Sequence, residues 1–144
     1  MTWLRRDESG STMLLTILFA VVTIALVLVV ASTASLYIER KRLYSLADAT
    51  ALVAAEQWQD ASTAVVNDHL EFHLDPPAMR SAAAEYLARA ATRLRAPQLV
   101  AVQTRDGQTA EVTLRSVWRA PFGLDFLPLA VPIEVTTTAR AVVH

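Results

Sequence analysis

The chain has 144 residues, 53% of them hydrophobic, with no cysteine, three glycines and a formal net charge of -1. The absence of cysteine excludes disulfides, thiolate metal sites and a cysteine nucleophile. So few glycines leave no Gly-rich phosphate loop, and near-neutral charge argues against a nucleic-acid partner.

Residues 1–10, MTWLRRDESG, form a short leader with Arg5 and Arg6. From Gly10 to Ile38 there is no Asp, Glu, Lys or Arg, and Met13 to Ala31 is apolar except for Thr16 and Thr23. Roughly 20 such residues in a helix cross the hydrocarbon of a bilayer, about 30 Å thick. Lipid leaves the backbone no water to bond, so the run must be helical. Residues 11–38 are therefore expected to be a transmembrane helix. The run exceeds the apolar region of about 7–15 residues in a secretory signal peptide. That favours a retained span over cleavage after Ala34 in Ala31-Ser32-Thr33-Ala34-Ser35. Basic residues flank both ends, Arg5 and Arg6 before and Arg40, Lys41 and Arg42 after. Charge alone leaves the orientation open.

Residues 39–58 contain no Gly or Pro and are rich in Ala, Leu, Glu and Arg, all good helix formers. Leu43, Leu46, Ala47, Thr50, Val53 and Ala54 recur at helical spacing. The span is expected to continue, unbroken from Ser11 to about Trp58, into an amphipathic stem about 70 Å from end to end.

This region resembles the TadE/TadG-like proteins of the Tad (Flp-type) pilus-assembly machinery. The matching residues are Glu8-Ser9-Gly10-Ser11, the long apolar helix, Leu36-Tyr37-Ile38-Glu39-Arg40-Lys41-Arg42-Leu43, and the Ala-rich run from Leu46 to Ala55 with its single Asp48. The resemblance covers roughly residues 5–58. It implies a minor pseudopilin-like, accessory component of a pilus or related secretion apparatus. Such a protein is single-pass in the cell membrane, with a cytoplasmic N-terminus and its C-terminal head outside. Its partners would be membrane lipid and other pilus-assembly or pseudopilin subunits, with no nucleic acid, small-molecule substrate or cofactor. Gly10 and Ser11 stand where a prepilin-type peptidase would cut. The fifth residue counted from Ser11 is Leu15, where such sites carry Glu, so an anchored, unprocessed chain is expected.

Residues 59–77 are expected to be a connector and residues 78–144 a small head. Asp75 is placed to cap a helix that starts at Pro76 and runs to about Arg95. Its apolar stripe is Met79, Ala83, Tyr86, Leu87, Ala90 and Leu94, and Glu85 and Arg89 form a favourable i,i+4 pair. Pro97 stops the helix. A strand begins at Leu99, turns at Arg105-Asp106-Gly107-Gln108 and returns over Ala110 to Trp118. A third strand spans Pro132 to Val143, with Ile133, Val135, Thr137 and Ala139 on one face. The fold class expected is α+β: a transmembrane helix, an amphipathic stem, and one helix on a three-stranded antiparallel sheet.

Chemistry is sparse. His69 and His73 would share a helix face and are weak metal candidates, although no third ligand is indicated. No nucleophile elbow or focused carboxylate pair occurs, so no catalytic residue is assigned and no enzyme is expected. Asp48 is a candidate partner contact, as are Phe122 and Phe126 in the loop APFGLDFLPL. The alternative to pilus assembly is a generic single-pass protein presenting a small ligand-binding or sensory head.

Overall fold

The computed structural model describes residues 9–59, 64–66, 69–71, 74–90, 93–122 and 130–140. Helix α1 runs unbroken over Ser9–Ala55 and tightens into a 3-10 turn at Glu56–Gln59. Forty-seven residues at 1.5 Å each give a rod about 70 Å long. Nothing in the sequence interrupts it, because there is neither Pro nor Gly between Ser11 and Gln59. Its N-terminal half is long and apolar enough to cross a membrane, and none of that apolar window is buried by the rest of the protein.

Three threonine hydroxyls on this part of the helix are consumed locally. Thr16 Oγ1 donates to the Thr12 carbonyl at 2.9 Å, and Thr23 Oγ1 to that of Phe19 at 2.8 Å. Thr33 does the same to Val29 at 2.9 Å. Bonding back four residues removes the cost of a hydroxyl in hydrocarbon without needing a neighbouring helix.

Beyond α1 the chain forms a short antiparallel pair, β1 (Ala64–Val66) with β2 (His69–Glu71), inside the segment expected to be connector. Helix α2 follows at Pro76–Arg89. Asp75 occupies its N-cap position, but its carboxylate makes no capping bond. Pro76 and Pro77 carry no N–H, so they remove donors that a cap would satisfy. The carbonyl of Asp75 instead accepts the N–H of Met79 at 3.0 Å. The helix ends at Arg89, short of the expected Arg95. Ala90 is already extended (φ -64°, ψ 116°), and its N–H closes the last turn onto Tyr86 at 2.9 Å. Pro97 disfavours helical geometry at the residue before it, and Ala96 takes a positive φ of 44°. Leu94, expected on the helical stripe, reaches the core from this bend.

Three strands complete the chain: β3 (Gln98–Thr104), β4 (Thr109–Arg119) and β5 (Ala130–Arg140). They form an antiparallel sheet with β4 in the centre. Eleven residue pairs join β4 to β5 without a slip, from Thr109 opposite Arg140 to Arg119 opposite Ala130. The β3–β4 ladder is broken once, between Leu99 and Ala101. Pro132 cannot donate to a ladder and lies on β5, an edge strand, where that is tolerated.

The sheet lays one face on the C-terminal half of α1. Ala110, Val112, Leu114, Ser116 and Trp118 of β4 alternate inward and are buried, as are Ile133 and Val135 of β5. Opposite them Leu43, Ala47, Ala51 and Ala54 of α1 are wholly buried. Alanine at three of those positions lets the backbone of the helix come close to the sheet. Met79 and Ala83 of α2 and Leu74 before it close the remaining side. Two hydroxyls in this core are satisfied, Thr50 on the Leu46 carbonyl at 2.7 Å and Ser116 on that of Arg95 at 2.9 Å. The expected α+β class holds, with the stem supplying one wall of the head's own core.

Candidate functional site

With its inner face committed to the sheet, α1 shows solvent an outer stripe of Tyr37, Lys41, Tyr44, Asp48 and Leu52, spaced by threes and fours. Tyr37 is 69% exposed and Leu52 53%. Arg40 stands over the Tyr44 ring, 5.8 Å from its centroid, within the range of a cation–π contact. Arg42 pairs with Glu39 at 3.6 Å. The pair is largely solvated on the Arg side, so it contributes little. Asp48 is exposed and has no ion-pair partner among the described residues.

The outer face of the sheet is a lattice of polar cross-strand pairs. Arg115 holds Glu134 through two nitrogens at 2.7 and 3.1 Å. Thr113 and Thr136 share a hydroxyl bond of 2.9 Å. Glu111 accepts from Gln103 at 2.6 Å and pairs with Arg105 at 3.3 Å. These side chains satisfy one another, which stabilises register and leaves little unspent polarity.

At the β3–β4 turn Gly107 has φ 72°, the left-handed geometry expected for Asp-Gly. Asp106 accepts the N–H groups of Gln108 and Thr109 at 3.0 and 2.6 Å and the Thr109 hydroxyl at 2.7 Å. That hydroxyl bond first, and then the two backbone bonds, hold its carboxyl far below the usual carboxylate range. The Gly107 carbonyl accepts the N–H of Leu74 at 3.0 Å, tying the turn to the entry of α2. Asp106 is therefore a structural acid.

The sequence candidates separate as follows. Asp48 is presented outward. Phe122, just past β4, is 55% exposed; Phe126 lies outside the described residues, so the two cannot be joined into one patch. His69 opens β2, so its backbone is extended and the shared helical face does not exist there. His73 lies outside the described residues, and among those described no group of three His, Cys, Asp or Glu side chains could hold a metal. Gly10 and Ser11 sit in the first turn of α1.

One connection escaped sequence reasoning. Trp118 Nε1 donates to Ser35 Oγ at 3.3 Å, across 83 positions of chain. The only local sign was the two-residue alternation of β4, which continues through Ser116 to Trp118. Ser35 reads as one more small polar residue at a lipid-facing helix end, a candidate for packing against another helix. It faces the protein's own sheet instead.

Comparison with curated proteins and with solved structures returned no match. One long apolar helix and its family likeness make this a membrane-anchored protein. Residues 10–59, the helix α1 with its closing 3-10 turn, match the family model of putative Flp pilus-assembly TadE/G-like proteins.

Proposed function

We propose that the chain is an anchored, minor pseudopilin-like accessory component of a Tad/Flp-type pilus-assembly or related secretion apparatus, working by protein–protein contact and not by turnover. The observation that carries this reading is the coincidence of two boundaries. The family match covers residues 10–59 and the continuous helical rod covers 9–59. The part of the chain that resembles the family is thus the whole rod, the span together with the stem.

Contact is assigned to the outer stripe of α1. Asp48 is a charge without an ion-pair partner among the described residues, set between Tyr44 and Leu52 one helical turn to either side. A solvated carboxylate flanked by exposed apolar surface gives a partner both area to bury and a charge to match. Phe122, past the end of β4, is a separate exposed apolar side chain. In this reading the leader is cytoplasmic and unprocessed, and the head lies outside the membrane.

The test is complementation of a deletion strain. Full-length chain should restore surface pili or the associated secretion. Asp48→Ala should accumulate to the same level in the membrane, keep its melting temperature and fail to restore assembly. Full assembly by Asp48→Ala would remove Asp48 from the interface. Normal pili and secretion in the deletion strain itself would end the assembly reading.

A further inference from the structure

Where α1 leaves its apolar half, the start of β5 comes alongside and encloses a groove of about 410 Å³. Thr33, Leu36, Tyr37 and Arg40 form one wall, at spacings that place all four on one helix face. Val131, Ile133 and Glu134 form the other. The walls are therefore apolar at the membrane end and charged at the far end. Glu134 is already held by Arg115 at 2.7 Å. Arg40 has no carboxylate partner among the described residues; its one described contact is the Tyr44 ring. The net charge the groove offers a ligand is thus positive.

Its position on the rod decides what that ligand is. Met13 to Ala31 is about 28 Å of helix at 1.5 Å per residue, close to the hydrocarbon thickness of a bilayer. Thr33 is two residues past this run, about 3 Å, so the groove's membrane end opens at the headgroup layer, and Arg40, nine residues past the run, closes its outer end about 13 Å from the hydrocarbon. Side chains on a helix lean toward its N-terminus, which here points Tyr37 back toward the lipid, while the Arg40 guanidinium lies at the Tyr44 ring, at the far end of the groove. Tyrosine near the membrane end settles with its apolar ring inward and its polar tip at the headgroups. We propose that this groove is a seat for one anionic phospholipid. Its acyl chain lies along Leu36, Val131 and Ile133, and its phosphate meets the Arg40 guanidinium, a geometry suited to two parallel hydrogen bonds. The seat does not depend on the pilus reading; it requires only that α1 span a bilayer.

Trp118 neighbours the strand wall of the groove. It is opposite Val131 in the β4–β5 register and bonded to Ser35 on α1. With Trp3→Phe and Trp58→Phe in the full-length chain, Trp118 becomes the single indole. The protein is reconstituted in phosphatidylcholine vesicles doped with a small fraction of acyl-brominated phosphatidylglycerol or, separately, acyl-brominated phosphatidylcholine. At equal mole fraction the brominated anionic lipid should quench Trp118 at least twofold more strongly. Arg40→Gln should equalise the two lipids, and Arg42→Gln, whose side chain pairs with Glu39, should preserve the difference. Inorganic phosphate at 10 mM should leave the preference intact. Equal quenching in the parent chain, a preference that survives Arg40→Gln, or its loss to free phosphate would each overturn the assignment.

Discussion

Trp118 on the central strand and Ser35 on the long helix are joined by an indole N–H to hydroxyl bond of 3.3 Å. Ser35 is only four residues beyond Ala31, the last residue of the apolar run. The sheet is therefore clamped to the rod directly at its exit from the apolar stretch, and no free stem separates span from head. Trp118 is only 8% exposed, so its indole contributes packing as well as the bond. Trp118→Ala is expected to lower stability by about 3–5 kcal/mol, as for other large core truncations. Ser35→Ala leaves the ring in place and should cost only about 1 kcal/mol, the net worth of one hydrogen bond. Urea titration of the full chain in detergent, followed by near-UV circular dichroism, measures both. Equal losses would mean that Trp118 packs elsewhere.

The turn at Asp106 predicts an acid-sensitive contribution. Its folded carboxyl titrates below the ordinary value of 3.8 because three hydrogen bonds favour the charged form. A depressed acid stabilises fully above its unfolded pKa and progressively less as pH falls through the folded one. The contribution should be constant from pH 5 to 8 and fade below about pH 4. Asp106→Asn should lower the urea midpoint at pH 7 and converge on the parent at the acid end. A constant offset between the two proteins from pH 7 down to 2 would assign the effect to something other than charge.

Gly107 makes a separate demand on the same turn. At φ 72° a side chain meets the following carbonyl oxygen. Gly107→Ala should cost about 1–2 kcal/mol, and Gly107→Asn less, since Asn tolerates this region. Thermal melting of the three proteins at pH 7 gives the order directly. An Ala variant as stable as the parent would mean that the turn relaxes to another geometry.

Much of this was legible because the signals were periodic and long. The uncharged run and the Leu43–Ala47–Thr50–Ala54 spacing specify one helix, and the alternation of β4 and β5 specifies which side chains face the core. The end of α2 was not legible, because Ala90 to Arg95 contains only helix-compatible residues. What stops the helix there is tertiary: Leu94 has to reach the core and Ser116 to bond the Arg95 carbonyl before Pro97 begins the approach to β3. The hairpin of β1 and β2 was hidden for a related reason, since three-residue strands are too short to display a period. Asp48 was legible as a candidate from family resemblance, and the structure adds that its charge has no described internal partner. The Arg40 groove needed the structure, because its two walls are about ninety positions apart in sequence.

The alanine face of α1 sets a steric limit. Ala47, Ala51 and Ala54 are fully buried beneath the sheet, and added methylenes there have nowhere to go. Ala47→Leu or Ala51→Leu should destabilise by about 1–3 kcal/mol through overpacking. Leu52→Ala, on the exposed side, should stay within about 0.5 kcal/mol. Denaturant midpoints of the detergent-solubilised chain distinguish these outcomes. Tolerance of Leu at both buried positions would mean that the sheet rides farther from the helix than this core implies.

An unbroken helix from residue 9 to residue 55 has a consequence for topology. With its apolar half in a bilayer, such a rod places the leader and the head on opposite sides. Because the chain has no cysteine, His144→Cys creates a single thiol to report where the head lies. A membrane-impermeant maleimide added to intact cells is expected to label it, and Thr2→Cys should label only after the cells are opened. The intact mass of the membrane-extracted protein should retain the residues before Ser11. A product beginning at Ser11 would show that the leader is removed despite Leu15. Protection of the thiol at 144 until lysis would turn the head to the cytoplasm and remove the basis for its contact with exported subunits.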